Sequence, residues 1–176
     1  MTVDPVIVVI CRWLLALLFA SAAWHKISDW TAYRIVVHDY EILPRALVTP
    51  AAAGFVVAEM VAALTLPWRA ATETGVALVV VLLVAYSLAI TVNLARGRRE
   101  LECGCTPSVY RQPLSAKLLV RNAILLVVAC VALLPTTERA ISWVDASTVF
   151  AAVASGTLLW NASQLLMSTS AGRIRV

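Results

Sequence analysis

Charge is scarce in this chain. Only 14 lysines and arginines and 10 aspartates and glutamates are spread over 176 residues, leaving a net charge of +4. So small an excess, with its basic residues gathered at the ends of apolar runs, provides no stripe for DNA or RNA. Polar residues are also too few for a soluble domain. Hydrophobic residues make up 61% of the chain and mean hydropathy is +0.88, against about 45–50% apolar residues in soluble domains. No basic segment precedes the first apolar run, and Arg12 interrupts it. That run is therefore not read as a cleaved secretory signal and is expected to stay in the mature protein. No internal repeat is visible.

What is present is a set of apolar runs. Five of them, 5–24, 50–66, 74–94, 115–134 and 145–167, approach the roughly 20 residues needed to cross about 30 Å of hydrocarbon. They predict an all-α fold, a polytopic membrane helix bundle in one domain spanning 1–176, with a four-helix core plus a fifth transmembrane helix. Segment 28–44 is too polar to span. Tyr33, Val36, Val37, Tyr40 and Leu43 fall near helical spacing there, so it predicts a short interfacial helix capped by Ser28 or Asp29 and ended by Pro44. Trp24, Trp30 and Tyr40 suit an aromatic belt.

The polar island is the loop 96–114, which carries Cys103-Gly104-Cys105. Two cysteines separated by one glycine can close only a small, readily reduced ring. Three readings stand open: a thiol/disulfide switch whose thiolate is favoured by Arg98, Arg99 and Arg111, half of a soft-metal site completed by His25 and His38, or two inert thiols. Cys11 and Cys130 lie on the order of 20 Å from that end along their helices, too far for direct exchange. They are expected to be small buried hydrophobes.

Other chemistry-bearing residues share the loop's end of the bundle. His25 can pass protons near neutral pH, and Lys26 can lower a neighbouring thiol's pKa. Asn93, Arg96, Arg121 and Asn122 converge there by depth and could hold the loop's carbonyls or a polar head such as a quinone's. Gly97 is placed to close its helix in the left-handed conformation, and Ser115 to cap the next. Arg12 lies deep in an apolar run and is expected to pair with Glu59, at similar depth on the next helix. Ala154, Ser155, Gly156 and Ala162 in the last run mark a packing or interaction surface.

The order Arg12, Phe19, His25-Lys26, Tyr40, Pro44, Glu59, Asn93-Leu-Ala-Arg-Gly97, Cys103-Gly-Cys105, Arg121-Asn122 resembles the methylamine utilisation protein MauE family, related to DoxX-like membrane proteins, over roughly residues 5 to 134. It departs from the pattern after the second cysteine, where Thr106-Pro107 stands in place of an aromatic and a glycine. The resemblance implies a protein of the bacterial cytoplasmic (inner) membrane. It would be needed to mature an amine dehydrogenase whose small subunit carries many disulfides and a tryptophan-derived quinone, together with a thioredoxin-like MauD-type partner outside the cytoplasm. By analogy with quinone-linked membrane disulfide enzymes, a quinone is the expected electron acceptor.

Basic residues concentrate on the face holding the loop, so the positive-inside rule places Cys103 and Cys105 in the cytoplasm, whereas disulfide formation belongs outside. Either the loop folds back into the bundle, or the pair donates electrons from inside. The expectation is a membrane thiol-disulfide oxidoreductase with Cys103 and Cys105 exchanging, His25 and Lys26 assisting, and Asn93, Arg96, Arg121 and Asn122 at a quinone or the loop, with no metal among its ligands. The rival readings are a non-catalytic membrane scaffold for a redox assembly and a metal-binding module.

Overall fold

In a computed structural model, residues 2–98, 100–101, 113–140 and 142–172 are described, without the side chains of 167–172. Helix α1 (Pro5–Ser28) starts where Asp4 accepts a hydrogen bond from Val6 N at 2.9 Å and Pro5 supplies a preset φ. It runs past Trp24 to Ser28, because Lys26 turns into the protein instead of meeting water. Asp29 then closes α1 and opens α2 (Trp30–Asp39), its Oδ1 accepting from Ala32 N at 3.3 Å. Tyr33 and Val37 of α2 pack on Ala23, Ala52 and Val56.

Helix α3 (Arg45–Thr65) begins five residues before Pro50, with Pro44 at its N-cap. Pro50 forfeits only its own missing hydrogen bond so near the first turn, and the helix passes through it. The turn from α3 to α4 is tight: a Cβ on Gly75 would lie 2.7 Å from Thr65 Oγ1 and 3.0 Å from Leu66 N. Helix α4 (Thr72–Ala95) ends as its sequence predicts, with Gly97 at φ +76° and Arg98 N donating to Asn93 O at 3.0 Å. Ser115 occupies the N-cap of α5 (Ala116–Ala132) but its side chain makes no capping bond. Ser142 and Asp145 cap α6 (Trp143–Gly172) reciprocally, at 2.8 and 3.3 Å.

Among the described residues, four helical segments are long and apolar enough to cross a membrane: Pro5–Ser28, Arg45–Thr65, Arg69–Ala95 and Trp143–Leu166. Helix α5 has 17 residues and packs between α4 and α1. Leu15, Phe19, Ala62, Val79, Leu83 and Ala129 belong to one core shared by α1, α3, α4 and α5. Large side chains such as Leu64, Val81, Val127 and Phe150 face outward, as they do on a lipid-exposed bundle, where backbone groups are satisfied within each helix. The chain is a multi-pass membrane protein. Helix α6 rests against α1 on the outside of this core.

At the end of the bundle far from the loop, Val3 N donates to Pro135 O at 3.0 Å, and Arg139 binds both Asp4 and Asp145. Arg12 belongs to this end. Its Nε donates to Ala132 O at 3.1 Å, so it caps the C-terminus of α5 and does not pair with Glu59. Side chains lean toward the N-terminus of their own helix, which on α1 carries Arg12 away from Glu59. Cys11 is half-buried, whereas Cys130 is exposed on the outer face of α5 and is not the buried hydrophobe expected of it.

Candidate functional site

Glu59 is 1% exposed, and its partner is Lys26, 3% exposed. Helices α1 and α3 run antiparallel, Ala23 lying near Ala52 and Leu15 near Ala62. Leaning toward their own N-termini, the two side chains approach each other along the interface. Lys26 Nζ pairs with Glu59 Oε1 and donates to Tyr86 Oη at 3.0 Å, and Tyr86 Oη donates to the same carboxylate oxygen at 2.7 Å. The ammonium sits 4.8 Å from the Tyr86 ring centroid and 5.1 Å from that of Tyr33. Charges buried in a membrane protein pair in this way and mark ion, proton or substrate sites.

Glu59 and Tyr86 also wall a small chamber of about 50 Å³ with Arg121, Asn122 and Trp160. The Arg121 guanidinium lies 5.7 Å from the Trp160 ring centroid, and Asn122 Nδ2 donates to Ser87 Oγ at 3.1 Å. Leu18, Ser21, Leu125 and Trp160 line both this chamber and a groove of about 710 Å³ between α1, α5 and α6. His25 is on the groove. Although adjacent in sequence, His25 and Lys26 therefore serve different spaces, one outside the core and one within it.

Asn93 is fully buried, with Nδ2 donating to Ala89 O at 3.0 Å and Oδ1 unpartnered among the described residues. Arg96 instead reaches the segment after α2, donating to Glu41 O at 3.2 Å. Arg98 pairs with the Glu41 carboxylate, whose pKa is lowered by that hydrogen bond and charge. The four residues expected at a polar head thus divide: Arg121 and Asn122 face the chamber, while Asn93 and Arg96 stay by the end of α4.

Cys103 and Cys105 lie outside the described residues. The residues on either side of them meet, Leu114 N donating to Leu101 O at 3.0 Å. Leu101 and Leu114 pack with Ile90 and Leu118. His25 and His38 do not converge, since His38 lines a separate pocket between α2 and α3. Tyr86 was not singled out by the sequence reading. Its signal is a hydroxyl-bearing aromatic in the otherwise aliphatic run of α4, seven residues before buried Asn93.

No solved structure matches this chain. The chain is 31% identical over 180 residues to the methylamine utilization protein MauE of Paracoccus denitrificans, covering 97% of this chain and 92% of that protein. With the protein of that name from Methylorubrum extorquens it shares 33% over 134 residues, covering 68% and 64% respectively. With the one from Paracoccus versutus it shares 33% over 134 residues, covering 75% and 72%. A sequence model of methylamine utilisation protein MauE matches residues 4–135, which takes in α1 to α5 with the buried Lys26, Glu59 and Tyr86, and the chain belongs to the MauE family.

Proposed function

We propose that this protein serves methylamine utilisation in the bacterial inner membrane as a thiol/disulfide oxidoreductase. In this reading it supports disulfide formation in an amine dehydrogenase small subunit through a thioredoxin-like MauD-type partner. What supports the reading is that Leu101 and Leu114, which flank Cys103-Gly-Cys105 in the sequence, are hydrogen-bonded to each other at one end of a bundle that buries the Lys26–Glu59 pair.

In the oxidising direction, a partner thiolate attacks the Cys103–Cys105 disulfide to form a mixed disulfide, and the partner's second thiolate displaces it. The partner gains one disulfide, and both cysteines leave reduced. Reoxidation removes two electrons and two protons. A quinone, when bound, supplies the acceptor for both. Arg121 and Asn122 have the donors that carbonyl oxygens require, and the groove beside them is apolar, so the residues fit such a group. In this reading His25, which lines the groove, moves protons, and Lys26 acts from inside by holding Glu59.

The test combines function and topology. Cys103→Ser and Cys105→Ser should each abolish maturation of the dehydrogenase while leaving the protein in the membrane. In a Cys11→Ala, Cys130→Ala background, labelling of Cys103 and Cys105 by an impermeant maleimide in intact cells only after mild reduction would put an oxidised pair on the outer face and support the relay. Normal maturation in both serine variants sinks the exchange mechanism. Free thiols labelled only in opened cells would favour a scaffold.

A further inference from the structure

We propose that the groove between α1, α5 and α6 is a site for a lipid-soluble quinone, with a ring carbonyl presented to Arg121 and Asn122 and the tail along Leu14, Leu17 and Val128. The inference rests on the redox reading above and names where its acceptor binds. Three observations carry it.

The first is size. The groove, about 710 Å³, lies within the range of about 300–1,000 Å³ typical of small-molecule sites. The inner chamber, about 50 Å³, admits the polar edge of a ring and not the whole ring.

The second is polarity along the groove's length. His25, Ser21, Asn161 and Gln164 lie toward the loop end, whereas Leu14, Val128 and Gly156 lie nearer mid-bundle. An amphiphile with its head near the membrane surface and its tail toward the bilayer centre matches that order.

The third is the chemistry at the shared wall. Arg121 and Asn122 offer nitrogen donors, and the Trp160 ring a flat face against which a ring can stack. A phospholipid acyl chain would use the groove but none of these donors.

The experiment uses the full chain in phosphatidylcholine nanodiscs, titrated with decylubiquinone while tryptophan fluorescence is followed. Saturable quenching is expected. Its amplitude should fall in Trp160→Phe, and its midpoint should rise at least tenfold in Arg121→Met and in Val128→Phe, which narrows the tail groove without touching the chamber. Circular dichroism and retention on size exclusion identify a variant that has not folded.

Quenching with an unchanged midpoint in both folded variants overturns the site and leaves the redox reading standing. So does phospholipid that stays bound in the groove and is not displaced by the quinone. Saturable, variant-sensitive quenching in a protein whose Cys103 and Cys105 never cycle with the quinone supports the site and counts against the redox reading.

Discussion

Lys26 and Glu59 stand 33 residues apart in sequence and meet as an almost fully buried ion pair, joined by Tyr86 Oη. Both charges have left water, so removing one strands the other. Lys26→Met and Glu59→Gln should each destabilise the bundle by about 3–5 kcal/mol. The double variant Lys26→Met/Glu59→Gln should lose clearly less than the sum of the two. Thermal unfolding in dodecyl maltoside checks this, and additive losses in the double variant would refute the pairing.

Arg12 caps α5 through Ala132 O. Arg12→Ala removes a charge-assisted bond to a carbonyl at a helix C-terminus, where cations are favoured, and should cost about 1–2 kcal/mol. Arg12→Lys should retain part of it. Because the contact lies at the opposite end from the loop, maturation of a partner should survive in both variants. The measurements are denaturation in detergent and a cellular maturation assay.

The clamp between Glu41 and Arg98 depends on pH. Arg98 holds the Glu41 carboxyl below its ordinary value of 4.5, first by hydrogen bond and then by charge. A carboxylate whose pKa is lowered by folding contributes its full stabilisation above the unfolded value and loses it as pH falls through the folded one. Hydrogen exchange at Glu41 and Arg98 should therefore be unchanged from pH 7 to 5 after correction for intrinsic rates, and protection should weaken below 4.5. In Glu41→Gln that acid-induced weakening should disappear.

Gly97 ends α4 at φ +76°. Alanine there enters the left-handed region at a cost of about 1–2 kcal/mol, and with it goes the alignment that points Arg96 and Arg98 at Glu41. Gly97→Ala should lower the unfolding temperature and raise exchange at Arg98. Gly54, about which nothing lies within 4 Å of an added Cβ, is the control: in a helix interior that favours alanine, Gly54→Ala should not lower the unfolding temperature and should leave exchange at Arg98 unchanged.

The helices were legible because each apolar run approaches the thickness of a bilayer, and Gly97 was legible because few other residues close a helix that way. The buried pair was half legible. Glu59 stood out inside an apolar run, but counting residues gives depth and not direction, and depth alone selected Arg12. Lys26 looked like an anchor at a helix end. Only the antiparallel neighbour shows that its lean carries it inward. Arg121 and Asn122 were found by depth, whereas Trp160, against whose ring Arg121 lies, sits on the last helix, whose docking against α1 no local pattern specifies.

The hydrogen bond from Leu114 to Leu101 means that the fold itself brings the two ends of the cysteine segment together. The entropy of closing that segment is then a small, slowly varying quantity, about 0.6 kcal/mol for each doubling of its length. Lengthening the sequence between the anchors should therefore cost the helices beneath little. Thr106-Pro107 falls between these anchors in the sequence, so a change of length there should leave the stability of the helices nearly untouched.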